Sequence, residues 1–323
     1  MRKLILSATG AVTSLLPLKF RHVMAKSLLN DRALASEYGY LYLSCLAKKL
    51  NVVQLSASGQ YGTMASSSND LSILRKYAET GLWAPELSER LIAFFAGAGG
   101  TYLDIGANIG MTTIPIARQN QQVRCYAFEP EPVNYGNLVR NIAENCPGSR
   151  VQTFQLALHE REEVLPFEIA DGNLGDHRLH FETRLAAKQD EIGRKIINVR
   201  CARLDDLPIE LQGPVFAKID TQGAEPYVVA GGRRTLAQAD ALLIEWSPYH
   251  MARLGGDPQV VLRFLEEHFD HGAIEPTDAK AGQRGESGPM KEIVRRLQAT
   301  IAAWRDDPFN YVDVVATGKR ASP

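Results

Sequence analysis

Four carboxylates in this chain each follow a short apolar run, which is where binding and catalytic groups of α/β proteins lie. These carboxylates are Asp104, Glu129, Asp220 and Glu245. If each run is a strand of one parallel sheet, the four side chains converge on one rim, because ligands in open α/β sheets bind beyond the carboxyl ends of the strands. Carboxylates at such a rim can accept hydrogen bonds from a ligand, and they can take a proton from a reacting hydroxyl.

A glycine-containing turn follows the first of these carboxylates. The segment Asp104-Ile-Gly-Ala-Asn-Ile-Gly110 indicates a strand, a tight turn and the start of a helix whose first N–H groups lack intrahelical partners. A dinucleotide site needs the pattern G-x-G-x-x-G. Aligned from Gly106, the later glycine positions hold Asn108 and Met111, which argues against a dinucleotide. Asp104 suits a ligand with a cationic amino group, such as S-adenosylmethionine (SAM); a plain turn of an α/β domain is the alternative.

A second carboxylate fits the ribose of the same ligand. Residues 123–130 predict a buried strand that ends at Glu129, and Pro130 stops this strand before a helix over 132–145. Glu129 therefore lies about 20 residues beyond the glycine turn, where nucleoside-binding folds have their ribose-binding carboxylate. A carboxylate can accept hydrogen bonds from both ribose hydroxyls at once. A solvated acid at a strand end is the alternative.

Several separate motifs resemble the FkbM family of SAM-dependent methyltransferases and occur in the order of that family. Within roughly residues 70–275 they are Asp104–Gly110, Phe128-Glu-Pro130 with Asn141 and Asn145, Lys218–Glu225, Gly231-Gly232 and Leu243-Ile-Glu245. The resemblance implies a Rossmann-like methyltransferase fold, SAM as cofactor, and O-methylation of a sugar, glycan or secondary metabolite. The family usually has glutamate in place of Gln222, so a role that needs a charge there does not carry over.

The motifs together give the predicted cofactor-binding residues. These are Asp104, Gly106, Asn108, Gly110, Met111, Glu129, Pro130 and Asp220. We expect the carboxylates of the first two strands to hold the cofactor, and those of the later strands to face the reacting centre. No metal ligand is predicted: Asp220 and Glu245 could in principle hold a divalent ion, but oxygen ligands without a typical spacing are weak evidence for a metal site.

The predicted chemistry needs few catalytic groups. Aligning an acceptor oxygen with an activated methyl can lower the barrier by roughly 7–11 kcal/mol, and a carboxylate or imidazole can take the hydroxyl proton. Asp220 is the first candidate base, followed by Glu225 and Glu245. His250 is a further candidate, although a packing or surface role is the favoured interpretation for it. Lys218 precedes Asp220 by two positions, so both point to one face of the strand and can pair.

The remaining pattern predicts an α/β fold. Predicted strands alternate with helices, which favours a mostly parallel twisted sheet with helices on both faces. These strands cover 101–106, 123–129, 151–157, 214–220 and 241–246, with an inserted antiparallel pair at 164–170 and 197–204. The polar segment 171–196 includes His177, Arg178 and His180, which could meet an acidic or phosphate-bearing acceptor, although a solvated loop is the favoured interpretation.

Three parts are predicted along the chain. A helical N-terminal extension covers 1–80, the SAM-binding methyltransferase domain covers 81–277, and a linker, a helix and a last strand that completes the sheet cover 278–323. Within the extension, 1–60 is expected to be largely helical, with a loop at 65–69. The first 50 residues are apolar and basic, which suits a helix packed on the domain, the favoured interpretation, or contact with an anionic membrane surface. Leu4–Leu18, which follow Arg2 and Lys3, also resemble part of a cleaved secretory signal.

Bulk properties set further limits on the function. The 323 residues are 45% hydrophobic, and 36 Lys and Arg against 37 Asp and Glu leave a net charge near zero, so no nucleic-acid partner is predicted. Four scattered cysteines indicate reduced thiols, and a cytoplasmic location is expected because SAM is a cytosolic metabolite. The expected partner is a small-molecule or glycan acceptor. A nicotinamide oxidoreductase and a non-catalytic methyltransferase-like binding protein are the alternatives.

Overall fold

A computed structural model of the chain describes residues 37–180, 193–276 and 285–319. The strands, in chain order, are β1 (Gln54–Gly59), β2 (Gly62–Ser67), β3 (Gly100–Ile105), β4 (Val123–Phe128), β5 (Arg150–Phe154), β6 (Ala157–Leu158), β7 (Glu163–Ile169), β8 (Arg178–Leu179), β9 (Lys195–Ala202), β10 (Val215–Ile219), β11 (Ala241–Trp246), β12 (Phe269–Pro276), β13 (Glu286–Pro289) and β14 (Val312–Lys319). The helices are α1 (Glu37–Lys49), α2 (Ile73–Thr80), α3 (Pro85–Phe94), α4 (Thr113–Gln119), α5 (Pro132–Asn145), α6 (Glu225–Gly231), α7 (Arg233–Leu236), α8 (Pro248–Arg253), α9 (Pro258–His268) and α10 (Met290–Ala303).

The large sheet has the strand order β13-β12-β14-β11-β10-β3-β4-β5. The five strands from β11 to β5 run parallel, whereas β14 is antiparallel to both β11 and β12, and β13 is antiparallel to β12. The chain order reverses at β3, which has β4 on one side and β10 on the other. Ligands bind at such a switch point, beyond the carboxyl ends of the strands. The predicted Rossmann-like α/β fold is confirmed.

Alternate residues of the central strands enter two separate cores. Leu103 of β3 packs on one face of the sheet with residues of α6, α9 and α10. Tyr102, Phe216 and Leu243 pack on the other face with residues of α1, α2 and α4. Because both faces are covered, β3, β10 and β11 are buried at every position, as expected for parallel strands between two layers.

The N-terminal part differs from the prediction. Within the predicted helical region, 54–59 forms a strand that pairs with 62–67, and this second strand also replaces most of the predicted loop at 65–69. Side chains of α5 form hydrogen bonds to the backbone of β2 and so fix the hairpin of β1 and β2. Asn141 accepts a hydrogen bond from the N–H of Ala65 at 2.8 Å and donates to its carbonyl at 2.9 Å, and Asn145 does the same for Thr63. These long-range bonds outweigh the weak local preference of the small, hydroxyl-rich strands.

The basic N-terminal segment lies mostly outside the described residues. The structure therefore does not describe the part of 1–50 for which membrane contact or helix packing is predicted, apart from α1 and the turn after it. Among the helices that the structure does describe, none combines the length and the apolar character needed to cross a bilayer.

The smaller sheet has the strand order β6-β9-β7-β8 and contains the predicted antiparallel pair, β7 with β9. The segment after β7 is not the solvated loop that was predicted, since Arg178 is 1% exposed. Arg178 pairs with Glu168 at 3.3 Å and with Asp176 at 3.4 Å, and His180 Nδ1 lies 2.6 Å from Glu168. These contacts hold the small sheet together. Residues 181–192 of the predicted segment lie outside the described range.

Beyond β11 the chain adds three strands to the large sheet, β12, β13 and β14, where one was predicted. The predicted last strand and the helix before it correspond to β14 and α10. The predicted linker contains β13, and β12 has no counterpart in the prediction. β12 includes a glycine, a histidine and two acids, so it lacks the apolar pattern of a strand and depends on pairing with β14.

Candidate active site

A cavity of about 730 Å³ opens at the carboxyl ends of the central strands, a volume typical of small-molecule sites. Several of the predicted site residues line this cavity: Gly106, Asn108, Met111, Glu129, Pro130, Asp220 and Glu245. Other predicted site residues do not belong to its wall: Asp104, Gly110, Glu225 and His250. The predicted rim therefore exists, but it is built from only part of the predicted set.

Glu129 lies at one end of the cavity, with its carboxylate fixed by the backbone. Its Oε2 accepts a hydrogen bond from the N–H of Asn108 at 3.0 Å, and its Oε1 accepts one from the N–H of Glu131 at 2.8 Å. Burial, with a smaller effect from the charge of Glu131, raises the pKa of Glu129 to about 8. Each oxygen keeps a lone pair for another donor, so the carboxylate could hold a ribose diol.

The glycine turn is shaped by packing within the protein. A side-chain carbon on Gly106, which has φ +85°, would lie 1.9 Å from the carbonyl oxygen of Asp220. One on Gly110 would lie 2.9 Å from Leu138 of α5. These glycines therefore let the neighbouring backbone and helix approach the turn closely.

Asn108 connects the turn to the inserted sheet. Its backbone is left-handed, with φ 51°, and its side-chain amide donates a hydrogen bond to the carbonyl of Leu174 at 2.7 Å. The same carbonyl accepts from Asn134 of α5 at 3.3 Å. Leu174 also lines the cavity, so the segment between β7 and β8 covers the end of the cavity at which Glu129 lies.

Asp104 lies beneath the cavity and contacts other protein groups. Its Oδ2 accepts hydrogen bonds from the hydroxyls of Thr112 and Thr113 at 2.6 Å each. Its Oδ1 lies 3.3 Å from Lys218 Nζ, and the side chain is fully buried. The direct contact with a ligand amino group that was predicted for Asp104 has no support in this geometry; the carboxylate fixes Lys218, which does line the cavity.

Lys218 is the positive charge at the centre of the site. Burial works to lower the pKa of Lys218, but Asp104 and Asp220 outweigh this effect and raise it above its ordinary value. Its Nζ donates a hydrogen bond to the carbonyl of Gly106 at 2.9 Å and lies 3.8 Å from Asp220 Oδ2. The predicted pair of Lys218 and Asp220 is thus present, although the contact with Asp104 is closer.

Charged residues form a row across one face of the sheet. Asp104 lies opposite Lys218 in the register of β3 and β10. On the next strands, Glu245 lies opposite Asp313, and Asp313 lies opposite Glu275. The β11 residue opposite Lys218 is two positions before Glu245, which places Glu245 on the same face. Glu275 also pairs with Arg90 of α3.

Gln222 connects two of the predicted catalytic carboxylates. Its Nε2 donates a hydrogen bond to Asp220 Oδ1 at 2.9 Å and lies 3.2 and 3.3 Å from the two oxygens of Glu245. Burial raises the pKa of Glu245 well above its ordinary value, and the charge of Asp220 adds to this effect. An amide can donate to both acids, whereas a glutamate at this position would add a third negative charge.

Two predicted catalytic residues have structural roles. Glu225 accepts hydrogen bonds from the N–H of Thr221 at 2.8 Å and the N–H of Gly223 at 3.0 Å, so it closes the turn after β10. His250 is buried and its Nδ1 lies 3.0 Å from the hydroxyl of Ser247, at the start of α8. Glu225 thus supports the turn that follows Asp220, and His250 supports the start of the helix that follows the strand of Glu245.

Asp313 and Glu275 are cavity residues that the sequence analysis missed. Neither follows an apolar run that ends in an acid, which was the signal used for the other carboxylates. Asp313 precedes the apolar segment 314–316, and Glu275 ends a strand without an apolar pattern. Only the pairing of β11, β14 and β12 brings these acids beside Glu245.

A further part of the cavity wall comes from α2, from α3 and from the turn between them. It includes Lys76, Trp83, Ala84, Leu87 and Arg90. Ala84 has φ 41°, an unfavourable conformation for alanine. Together with Asn108 and Gln222, it gives the cavity three left-handed residues other than glycine. Such strained residues concentrate at functional sites.

In the described residues, Glu129 lies at one end of the cavity and a group of acids lies at the other, with Lys218 between them. Within 37–180, 193–276 and 285–319, no group of three or more histidine, cysteine or carboxylate side chains is placed to hold a metal ion. The arrangement can bind hydroxyl groups at one end and accept a proton at the other.

Comparison with known proteins identifies the family. Residues 104–272, just over half of the chain, match the model of the methyltransferase FkbM domain. The chain is 25% identical over 187 residues to 2-O-methyltransferase NoeI of Sinorhizobium fredii (strain NBRC 101917 / NGR234), a match that covers 54% of this chain and 75% of NoeI. It is 28% identical over 152 residues to methyltransferase sdnD of Sordaria araneosa, with 40% of this chain and 59% of sdnD covered.

A solved structure of an FkbM methyltransferase from Methylobacillus flagellatus KT is also similar. It shares 16% identity with a TM-score of 0.35, and the match covers 75% of this chain and 52% of that one. The match with sdnD and the match with this structure thus each span less than two thirds of the other protein. From the match to the domain model, the chain belongs to the FkbM methyltransferase family.

Proposed function

We propose that this protein transfers a methyl group from SAM to a hydroxyl of a saccharide, glycan or secondary metabolite. Membership of the family supports methyl transfer, and the relative NoeI is named a 2-O-methyltransferase. The observation that best supports SAM is the placement of Glu129, a buried carboxylate whose only two hydrogen bonds within the described residues come from backbone N–H groups. Such a group can take both hydroxyls of a ribose.

We assign cofactor binding to one end of the cavity and acceptor binding to the other end. Glu129, Asn108 and Met111 would hold the adenosyl part of SAM, and Lys218 offers a positive charge for its carboxylate. Asp220 and Glu245, which Gln222 holds together, would bind and orient the acceptor hydroxyl at the acidic end. When bound, SAM supplies an activated methyl group on a sulfonium. Alignment of the acceptor by these side chains can account for roughly 7–11 kcal/mol of the barrier.

Calorimetric titration tests the cofactor. We expect S-adenosylhomocysteine (SAH) to bind and NAD not to bind. At pH 9, where most of the Glu129 carboxylate is ionised, SAH should bind about 10- to 100-fold more weakly to Glu129→Gln than to the unaltered protein, because a hydrogen bond to a charged group contributes about 1.5–3 kcal/mol. Asp270→Asn is the matched control, since it removes an exposed carboxylate at the far end of β12 from the cavity; its affinity for SAH should be unchanged.

The alternative classes predict other results. Binding of NAD without SAH would contradict the proposal in favour of an oxidoreductase. Binding of SAH with no methyl transfer from tritium-labelled SAM to any hydroxyl compound would instead favour a non-catalytic binding protein. A panel of neutral methyl glycosides and phenols is the appropriate set of acceptors, because the acidic end of the cavity disfavours anions.

A further inference from the structure

We propose that Asp313, on the C-terminal strand β14, is the catalytic carboxylate that takes the proton from the acceptor hydroxyl, with Glu245 beside it. This inference rests on the proposed function and adds a residue outside the part of the chain that matches the family domain, 104–272. It also assigns the acceptor to neutral hydroxyl compounds.

The position of Asp313 follows from the strand register. Asp313 lies directly opposite Glu245 on β11 and opposite Glu275 on β12, and side chains directly opposite each other in antiparallel strands have Cβ atoms about 4.5–5.5 Å apart. Val315, two residues further on, packs in the same core as Leu243, so Asp313 shares the face of the sheet that carries Lys218. All three acids line the cavity.

The hydrogen bonds of the neighbouring acids distinguish Asp313 from them. Asp220 and Glu245 each accept from Gln222, and Glu275 is bound by Arg90. Asp313 is half-buried and lines the cavity, yet it forms no side-chain hydrogen bond with any residue of the described ranges. Its carboxylate oxygens are therefore available to an acceptor hydroxyl, whereas the other acids are already held by protein donors.

The charges around Asp313 suit a proton acceptor. Burial raises the pKa of Asp313 to about 7, with Asp220 adding to the effect and Lys218 opposing it; Glu275 raises and Arg90 lowers the same pKa. Glu245 faces Asp313 from β11, and the charge of Asp313 is one of the smaller causes that raise the pKa of Glu245. A base with a pKa near the working pH is the most efficient, because it is both ionised in a large fraction of molecules and basic enough to take a proton.

The proposed step balances without any further reactant. The acceptor oxygen forms a bond to the methyl carbon, the bond between that carbon and sulfur breaks with its electron pair remaining on sulfur, and the hydroxyl proton passes to Asp313. Asp220, held by Gln222, would orient the acceptor. An acceptor with a carboxylate or phosphate next to the reacting hydroxyl would be repelled by Asp220, Glu245 and Asp313 together.

Proton release on cofactor binding tests this assignment without a known acceptor. SAM and SAH differ by one methyl group and by the positive charge of the sulfonium. If the positively charged sulfonium lies beside Asp313, SAM should displace the proton that Asp313 holds in part of the molecules at pH 7. SAH has no such charge and should not displace it. We expect calorimetric titrations in buffers of different ionisation enthalpy to show up to about half a proton more released with SAM than with SAH, as linkage requires for a group half-protonated at this pH.

Two variants test whether Asp313 is the group that releases the extra proton when SAM binds. In Asp313→Asn the difference between SAM and SAH should disappear, and in the control Asp270→Asn it should remain. Circular dichroism and retained SAH affinity would show that Asp313→Asn is folded. Equal proton release with both ligands in the unaltered protein, or an undiminished difference in Asp313→Asn, would overturn the role of Asp313. Failure to bind SAH at all would instead contradict the proposed function, so the two failures are distinguishable.

Discussion

The two ends of the cavity hold their carboxylates in different ways. At the end near the glycine turn, backbone N–H groups fix Glu129. These N–H groups belong to the segments that directly follow two successive strands, β3 and β4. At the other end, Asp220, Glu245, Asp313 and Glu275 come from separate segments, and side chains such as Gln222 and Arg90 hold three of them. The first end is built from local geometry, and the second depends on long-range strand pairing.

This difference suggests which end can vary between relatives. The end with Glu129 lies entirely within the matched family domain, whereas Arg90, Glu275 and Asp313 lie outside residues 104–272. An end that binds a constant cofactor needs a constant geometry. Under the proposed function, the end that is assembled from the outer strands and from α3 can differ in the acceptor that it binds without disturbing the cofactor.

The largest expected effect concerns the acidic end. Asp313→Asn should lower kcat/KM for methyl transfer to the most active neutral methyl glycoside by about 10²- to 10⁴-fold, the usual contribution of general base catalysis. In the unaltered protein, kcat/KM should fall with decreasing pH below about 7, as Asp313 becomes protonated; the variant should lack this fall. Initial rates between pH 5.5 and 9 measure both effects.

Asp220→Asn is the matched control for that experiment. It should reduce turnover but keep the dependence on pH, shifted to lower pH, because the charge of Asp220 is one of the causes that raise the pKa of Asp313. Unchanged turnover in Asp313→Asn, combined with loss of the pH dependence in Asp220→Asn, would return the role of base to Asp220, the first candidate from the sequence.

The sequence predicted the local features and missed those that depend on register. The strand that ends in Glu129 and the glycine turn were visible because each is one continuous segment. Asp313 and Glu275 were not, because only the antiparallel pairing of β14 with β11 and β12 places them at the rim. The hairpin β1–β2 was missed for a similar reason, since amide groups of α5 hold it in place.

Asp104 shows the limit of inference from an acid at a strand end. The apolar run before it predicted the strand correctly, but the run does not tell whether the carboxylate faces a ligand or a lysine of the neighbouring strand. In the structure the neighbour is Lys218, at 3.3 Å. Assigning Asp104 therefore requires the register of β3 with β10, which sequence periodicity does not provide.

The second prediction tests whether Asp104 stabilises the fold through Lys218 or contacts the ligand directly. Asp104→Asn removes the charged group that lies closest to the buried Lys218, so we expect the free energy of unfolding to fall by about 3 kcal/mol. Affinity for SAH should change less than this. Asp220→Asn, at a half-exposed site 3.8 Å from Lys218, should cost less than about 1 kcal/mol. Urea denaturation measures both; a stable Asp104→Asn protein that no longer binds SAH would restore the direct contact.

The smallest expected effect concerns the pH dependence of nucleoside binding at the other end. The ionised carboxylate of Glu129 is the form that accepts from two ribose hydroxyls, and its pKa is raised to about 8. Below pH 8 a growing fraction is protonated, so affinity should rise with pH, by about tenfold between pH 7 and 9. The probe is 5′-methylthioadenosine, a neutral nucleoside that does not titrate in this range. Affinity in Glu129→Gln should not depend on pH, and a rise that persists in this variant would show that another group controls the binding.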